Sequence, residues 1–150
     1  MRYLDANIFV YAYFKQKKGM ILSEKIIWCK QEAKKIINEI NKEEDTYCIS
    51  LIQLSEVVNL LKAVMSWKNL HDLLFGLISN KSIEVVEMSK LMYINAINKI
   101  VDFNIGSNDI SAYLLMKGKN INEIYTFDRD YEAFPDIICL PPIPDEFKKK

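Results

Sequence analysis

Short runs of strand-forming residues alternate with longer amphipathic stretches along the whole chain, and this alternation restricts the fold more than any other feature of the sequence. The runs are rich in β-branched and aromatic residues, which favour strands. Strands that alternate with helices form parallel pairs joined by right-handed crossovers, in a sheet covered by helices on both faces. We therefore predict an α/β fold with strands over residues 2–4, 46–49, 83–86, 124–126 and 137–140.

Serine residues precede most of the helical stretches, where a side-chain oxygen can accept a hydrogen bond from the first turn. Ser50 and Gln53 have capping-box spacing, which predicts a helix that starts at Ser50 and carries Leu60 and its apolar neighbours into the core. A first helix follows Asp5, and Ser107 is predicted to cap the last one. Another helix is predicted to begin after Ser23. Further helices are predicted from about Trp67 to Ile78 and from Ser89 to Val101, and the helix after Ser107 extends to about Lys117.

Length and composition suit one compact domain. The chain has 150 residues, of which 50% are hydrophobic, and no Ser/Gly/Pro-rich linker divides it. These values favour a single domain over residues 1–150, with a frayed tail from about residue 143 onward.

The charge balance excludes indiscriminate binding to polyanions. Lys plus Arg equal Asp plus Glu at 20 each, so net charge gives no reason to expect general affinity for nucleic acid or an anionic membrane. Any polyanion site must therefore be local. Lys15, Lys17 and Lys18 could guide a nucleic-acid backbone, or they could form an ordinary solvated turn.

Cysteine usage and the first apolar run bear on the compartment. Cys29, Cys48 and Cys139 form no CxxC pair, and each lies in an apolar stretch, which predicts buried thiols in a reducing cytoplasm. Asp5 lies inside the first apolar run, which argues against a signal peptide, and no apolar run is long enough to cross a membrane. We expect a cytoplasmic protein with no membrane partner.

Four acidic residues lie beside apolar runs at widely separated points of the chain: Asp5, Glu56, Asp109 and Asp128. Asp5 and Asp128 closely follow the first and fourth predicted strands, and Asp109 opens the helix that leads into the fourth. Ligands of open α/β sheets bind at the carboxyl ends of the strands, so these acids can converge there. Buried carboxylates are costly unless compensated, and the ions that suit oxygen ligands are Mg²⁺ or Mn²⁺.

Each acid also has an ordinary structural interpretation. Asp5 is placed to form an Asx turn or a helix cap, and the helix dipole favours Asp109 whatever the protein does. Glu56 lies on a helix that is apolar over much of its circumference, although a solvated stripe on that helix would also explain it. Asp128 and Asp130 share a polar turn, and we favour Asp128 for the site because it is closer to the strand end.

Other catalytic chemistries lack the residues that they require. His71 is the only histidine, and it lies beside Asp72 in a helical region away from the four acids, which favours a surface or packing role. No Ser/His/Asp or Cys/His arrangement supports nucleophilic catalysis, and no glycine-rich phosphate loop is present. Carboxylates are the groups that remain for chemistry.

In their order and spacing, the strings around these acids resemble the motifs of PIN-domain ribonucleases, especially the VapC-like toxins of toxin–antitoxin pairs. Members of that family have an acid followed by x-Asn or x-Ser after the first strand and a Glu in the helix after the second. A third acid opens the helix before the fourth strand, and a Thr-x-Asp string follows that strand. The matching strings are Asp5-Ala6-Asn7, Ser55-Glu56-Val57, Asn108-Asp109-Ile110 and Thr126-Phe127-Asp128.

The resemblance implies a three-layer α/β/α sandwich with a central parallel sheet, and an endoribonuclease that hydrolyses the phosphodiester bonds of RNA. A recessed acidic site needs a flexible strand to reach the metal, which favours single-stranded RNA as the substrate. It implies Mg²⁺ or Mn²⁺ held by Asp5, Glu56 and Asp109, with Asp128 as a further ligand or a supporting acid. A divalent ion keeps such a cluster ionised and can lower the pKa of a water that attacks phosphorus.

The resemblance also assigns supporting residues and partners. Asn7 and Thr126 would orient the carboxylates. An antitoxin protein would cover the site, and the chain would form a homodimer. Apolar helical residues around Trp28 and Trp67 could serve for that contact, or they could belong to the core.

Two other functions stay open at the level of sequence. A non-catalytic module of the same fold would bind RNA or a protein without turnover. A haloacid-dehalogenase-like phosphatase would use Asp5 as a covalent nucleophile, although such enzymes usually carry a second Asp two residues further on, where this chain has Asn7.

Overall fold

The computed structural model describes residues 1–148, in which five strands form one parallel sheet. Their order across the sheet is β3-β2-β1-β4-β5, and every neighbouring pair is parallel. The predicted α/β fold is confirmed, and each predicted strand lies within one residue of its observed bounds. The strands are β1 (Arg2–Leu4), β2 (Tyr47–Ser50), β3 (Ile83–Val86), β4 (Glu123–Tyr125) and β5 (Ile138–Leu140).

Helices connect all the strands except the last two, which are joined through a 3-10 helix over Arg129–Ala133. The helices are α1 (Ala6–Tyr13), α2 (Glu24–Asn41), α3 (Leu51–Leu61), α4 (Trp67–Ser79), α5 (Lys90–Asn98), α6 (Ile100–Phe103), α7 (Ser107–Gly118) and α8 (Asp145–Lys148).

Serine caps start three of the helices as predicted. The side chains of Ser23, Ser50 and Ser89 each accept a hydrogen bond from a backbone N–H three residues later, which satisfies a donor of the first turn. The predicted cap at Ser107 is wrong, because Gly106 occupies the cap position and Ser107 is the first residue of α7. The Ser107 hydroxyl instead lies 3.0 Å from the Tyr93 hydroxyl.

The predicted continuous helix to Val101 is also wrong. The helix breaks at Lys99 into α5 and α6, and α5 is buried against α7 mainly through the small side chain of Ala96. Ile94 and Ile97 are 41% and 47% exposed as a result. Leu60 on α3, predicted to enter the core, is 48% exposed.

The chain end is helical where a frayed tail was predicted. Residues 145–148 form α8, and the Phe147 ring packs against Trp28 with centroids 5.9 Å apart. Residues 149 and 150, the rest of the predicted tail, lie outside the described residues.

Two hydrophobic cores lie on opposite faces of the sheet because successive strand residues point to opposite sides. In β1, Tyr3 belongs to the core beneath α5 and α7, whereas Leu4 belongs to the core beneath α1 to α4. Their partners in register, such as Ile124 beside Tyr3 and Tyr125 beside Leu4, alternate in the same way. The molecule is therefore a three-layer α/β/α sandwich.

The strand order reverses at β1, and this reversal positions the site. The chain passes from β1 to β2 and β3 on one side, and then returns to place β4 on the other side of β1. Crevices at such switch points, outside the carboxyl ends of the strands, are where α/β sheets bind ligands. The residues that follow β1 and β4 are Asp5 and Thr126.

Candidate active site

Asp5 lies directly after β1, at the cap position of α1, and is only 5% exposed. Its side chain makes no capping hydrogen bond, so the ordinary interpretation as a helix cap does not explain it. Its Oδ2 instead accepts a hydrogen bond of 2.5 Å from the Thr126 hydroxyl across the gap between β1 and β4. Burial, followed by repulsion from Asp109, Asp128 and Glu56, raises the pKa of Asp5 to about 7 despite that hydrogen bond.

Thr126 and Asn7 form a small network that ties the two strand ends together. The Thr126 hydroxyl donates to Asp5 and accepts from the Asn7 side-chain amide at 3.2 Å and from the Asp128 backbone N–H at 2.9 Å. The side-chain oxygen Oδ1 of Asn7 accepts a hydrogen bond from the Phe127 backbone N–H at 3.2 Å. Thr126 therefore contacts Asp5 directly, whereas Asn7 reaches that carboxylate only through Thr126.

Asp109 lies in the first turn of α7, where the helix dipole favours a carboxylate. Its Oδ1 accepts a hydrogen bond of 3.2 Å from the Tyr131 hydroxyl. Burial and then repulsion from Asp128 raise the pKa of Asp109 to about 6, with smaller contributions from Glu56 and Asp130. A helix position alone would lower this pKa, so burial and the neighbouring acids together outweigh the helix dipole.

Asp128 and Asp130 belong to the turn that starts the 3-10 helix. The Asp128 carboxylate accepts a hydrogen bond from the Asp130 backbone N–H at 2.9 Å, so Asp128 does stabilise the turn, as the structural interpretation of this residue expects. Even so, one carboxylate oxygen from each of Asp109, Asp128 and Asp130 lies within 4.8 Å of the other two. The sequence favours Asp128 over Asp130 for the site, but in the structure both carboxylates lie beside Asp109.

Glu56 faces the same region from α3 and is half buried. It lies near enough to Asp5 and Asp109 to contribute to the raised pKa of both carboxyls. The closest group of three carboxylates nevertheless consists of Asp109, Asp128 and Asp130 and does not include Glu56 or Asp5. The four acids singled out from the sequence thus form one electrostatic cluster, and Asp109 and Asp128 belong both to it and to this group of three.

The donor set fits a hard divalent cation. Carboxylate oxygens are the ligands that Mg²⁺ and Mn²⁺ prefer, and a cation would offset the repulsion that raises the pKa of Asp5 and Asp109. Within residues 1–148, no ion pair with Lys or Arg involves Asp5, Glu56, Asp109 or Asp128.

Sequence reasoning missed two residues of this region. Tyr131 was not considered, because its contact with Asp109 spans 22 residues of sequence and no local pattern marks it. The sequence pattern assigns Gln53 to capping-box spacing with Ser50 or to a solvated stripe with Asn59 and Lys62. Gln53 is instead only 1% exposed, and its side-chain oxygen accepts from the Ala6 backbone N–H at 2.8 Å and so holds the start of α1. Both contacts depend on the packing of separate elements.

The remaining reactive side chains lie elsewhere. His71 is exposed on α4, where it pairs with Asp72 at 3.1 Å and stacks on Phe75. Cys29 and Cys48 are free and buried, and Cys139 is free and half buried. No helix within residues 1–148 is long and apolar enough to span a membrane.

The sequence matches the PIN domain family over residues 29–137. This segment contains Glu56, Asp109 and Asp128 and begins after Asp5, which the fold brings to the same site. The chain belongs to the PIN-domain family. No curated protein matches its sequence.

Solved structures share the fold at low sequence identity. VapC20 of Mycobacterium tuberculosis, a toxin that cleaves the sarcin–ricin loop, superposes with a TM-score of 0.69 and 15% identity over 89% of this chain and 94% of its own. VapBC2 of Rickettsia felis, bound to a DNA fragment from its promoter, gives a TM-score of 0.61 and 20% identity over 93% of this chain and 97% of its own. Identities this low show the fold, and the chemistry must be argued from the site itself.

Proposed function

We propose that this protein is a Mg²⁺- or Mn²⁺-dependent endoribonuclease that hydrolyses phosphodiester bonds of single-stranded RNA, and that it is the toxin of a toxin–antitoxin pair. The observation that carries the proposal is the cluster of acids at the switch point between β1 and β4, with the pKa of Asp5 raised to about 7. Family membership supports the class of reaction, and the VapC20 and VapBC2 folds support the toxin assignment.

Asp5, Glu56 and Asp109 would hold the ion, with Asp128 as a further ligand or a supporting acid. Asp130 joins the candidates because its carboxylate lies in the same group as Asp109 and Asp128. When bound, the divalent ion would acidify a water and stabilise charge that develops on the phosphate.

The other side chains of the site would fix the geometry. Thr126 restrains one oxygen of Asp5, and Asn7 restrains Thr126 in turn, so the carboxylate does not have to be ordered when substrate arrives. Because Asp5 is 5% exposed, the cluster has a recessed floor, and a flexible single strand reaches a recessed site more easily than a duplex does.

The burial of Asp5 also disfavours the phosphatase alternative. A covalent nucleophile must reach the phosphorus atom of its substrate, whereas the Oδ2 atom of Asp5 is engaged by Thr126. Asn7 supplies no second carboxylate, because its side chain is an amide, and the two polar groups of that amide make hydrogen bonds to Thr126 and Phe127.

The partners follow from the same proposal. We infer an antitoxin protein that covers the site and a cytoplasmic setting, in keeping with free cysteines in a reducing compartment. A homodimer stays a prediction. Trp28 packs against Phe127 and Phe147 within the molecule, whereas Trp67 is 72% exposed and is the better candidate for a contact between subunits.

Cleavage of labelled single-stranded RNA by the purified protein tests the proposal. We expect cleavage with Mg²⁺ or Mn²⁺ that stops with EDTA, and a loss of at least about 100-fold in kcat for Asp5→Asn and for Asp109→Asn. The control is Asp102→Asn, which makes the same chemical change at an exposed position on α6 and should keep wild-type activity. Full activity in both site variants would exclude this site, and Mn²⁺ and RNA binding without cleavage would support the non-catalytic module instead.

A growth assay tests the toxin assignment separately. Expression of the wild type should arrest growth, expression of Asp5→Asn should not, and co-expression of the product of a neighbouring gene should relieve the arrest. RNA cleavage in vitro without growth arrest would leave the ribonuclease and contradict the toxin.

A further inference from the structure

The Tyr131 hydroxyl donates a hydrogen bond to a carboxylate of the acid cluster, whereas the hydroxyls of Tyr47, Tyr113 and Tyr125 donate to carboxylates outside it. Its side chain is fully buried, and its hydroxyl donates to Oδ1 of Asp109 at 3.2 Å. Tyr131 lies in the 3-10 helix that begins directly after Asp128, so one short segment supplies both the acids of the turn and this hydroxyl.

The position of the hydroxyl is set by the core. The Tyr131 ring belongs to the hydrophobic cluster beneath α7 and packs near Phe134, with centroids 6.3 Å apart. Close-packed rings have little freedom to move, so the hydroxyl is a fixed donor rather than a mobile one. Asp109, which accepts from it, is therefore restrained by a group whose place does not depend on the ion.

The restraint acts on a carboxylate that its neighbours repel. Asp109 lies within 4.8 Å of the carboxylates of Asp128 and Asp130, and an unrestrained side chain would rotate away from them. The Tyr131 hydroxyl engages Oδ1, whereas Oδ2 lies toward Gly106, where a Cβ atom would be 3.5 Å away. The hydrogen bond thus joins α7 to the 3-10 helix at the point where their acids meet.

We propose that Tyr131 is a positioning residue of the acid site, whose hydroxyl holds Asp109 beside Asp128 and Asp130 in the orientation that binds a divalent cation. The inference rests on the proposed function, because it concerns the ion that these carboxylates would hold. It adds a residue that carries no charge and coordinates nothing itself. Its contribution is to reduce the reorganisation that Asp109 would otherwise undergo on binding.

The test compares Tyr131→Phe with the wild type by calorimetric titration of Mn²⁺ and by the Mn²⁺ dependence of RNA cleavage. Removal of a group that orients a metal ligand typically weakens metal binding by roughly 10-fold or more, so we expect the Kd for Mn²⁺ to rise about 10-fold. The midpoint of Mn²⁺ activation should rise by the same factor. Saturating Mn²⁺ should restore kcat to within about two-fold, with the KM for RNA unchanged.

Tyr113→Phe is the matched control. Tyr113 lies on α7, the helix that carries Asp109, and its hydroxyl donates to Oδ1 of Asp136 at the same distance of 3.2 Å, outside the acid cluster. This variant removes an exposed hydroxyl–carboxylate bond of the same length, away from the acid cluster, so its Mn²⁺ affinity and kcat should equal those of the wild type. A fall in Mn²⁺ affinity of the same size in Tyr113→Phe would overturn the proposal.

The outcomes separate this inference from the proposed function. If the wild type neither binds Mn²⁺ nor cleaves RNA, the proposed function fails and the inference fails with it. If the wild type does both and folded Tyr131→Phe binds Mn²⁺ equally well, only the positioning role is overturned. A loss of kcat that saturating Mn²⁺ does not restore would also overturn it, in favour of a purely structural role.

A double variant covers the case in which Tyr131→Phe does not fold. Adding Asp109→Asn removes the charge that needs the donor, so Tyr131→Phe/Asp109→Asn should fold if the hydroxyl acts through Asp109. Failure of the double variant to fold, measured by circular dichroism, would show a role independent of Asp109 and would overturn the proposal.

Discussion

At the amino end of β1 three carboxylates surround a guanidinium. At its carboxyl end, within the part of the chain that the structure describes, the carboxylates of Asp5, Glu56, Asp109 and Asp128 form no ion pair with lysine or arginine. The guanidinium of Arg2 contacts Glu39 at 3.2 Å, Asp45 at 2.6 Å and Glu123 at 2.8 Å, and it lies over the Tyr125 ring. This cluster includes its own cation and joins α2 to β1 and β4.

The carboxyl end of the same strand is arranged differently. Asp5 is held by Thr126, and its pKa is raised to about 7 by burial and by the neighbouring acids. The only donors to the side-chain carboxylates of Asp5 and Asp109 that the described structure contains are neutral hydroxyls, from Thr126 and Tyr131. Clustered carboxylates without a cationic side chain indicate a candidate functional site. Carboxylates that pair with a guanidinium instead hold elements of the fold together. The difference between the two ends of β1 can be measured through the free energy of unfolding of the protein and its variants.

The largest expected effect is a fall in the stability of the metal-free protein as the pH rises. The folded-state pKa values of Asp5, about 7, and Asp109, about 6, exceed the ordinary value of 3.8, so the folded chain binds protons more tightly than the unfolded chain. The free energy of unfolding should therefore decrease from about pH 4, where these carboxyls ionise in the unfolded chain, to about pH 7, where they have ionised in the folded chain, by several kcal/mol.

Urea unfolding across this pH range measures the effect. Saturating Mn²⁺ should remove most of the decrease, because the ion binds the ionised carboxylates of the folded state. Stability that stays level or rises over the same interval in metal-free buffer would contradict the comparison of the two ends.

The second prediction concerns Asp5→Asn in the absence of metal. The amide still accepts from Thr126 but carries no charge, so the variant should be more stable than the wild type near neutral pH by about 1–3 kcal/mol. Thermal unfolding measures it, with Asp102→Asn on the exposed surface of α6 as the control that should show no gain. A destabilised Asp5→Asn would mean that the carboxylate has a structural role at the end of β1.

The smallest effect is expected at the amino end. Arg2→Met leaves Glu39, Asp45 and Glu123 without their cation, and because these side chains are partly exposed we expect a loss of only about 1–2 kcal/mol in the free energy of unfolding. Arg129→Met is the control, since Arg129 pairs with the nearby Glu132 on the surface and should matter less. Equal free energies of unfolding for the two variants would show that the Arg2 cluster stabilises the fold no more than an ordinary surface ion pair does.

Local patterns were sufficient to predict much of the fold. The strand bounds were predicted within one residue because β-branched and aromatic runs between helical stretches are short-range signals. The serine caps at Ser23, Ser50 and Ser89 were predicted for the same reason, since a cap depends on three or four consecutive residues.

The errors came from contacts between elements. Ser107 has the chemistry of a cap, but the turn before α7 places Gly106 in that position and directs Ser107 toward Tyr93. The helix predicted to end at Val101 has continuous apolar spacing, yet its packing against α7 uses Ala96 and leaves much of the apolar stripe exposed. In both cases tertiary packing overrode a local preference.

The sequence by itself determined the alternation of strands and helices and the order of the four acids. Each strand, helix and acidic string can be recognised from a few consecutive residues. Only the tertiary structure decided that Asp5 is buried, that Asp130 joins Asp128 beside Asp109, and that Tyr131 donates to Asp109. The physical reason is that a hydrogen bond requires its two atoms to lie about 3 Å apart and that charge repulsion weakens as the distance grows. For residues far apart in sequence, those distances are set by how the elements pack.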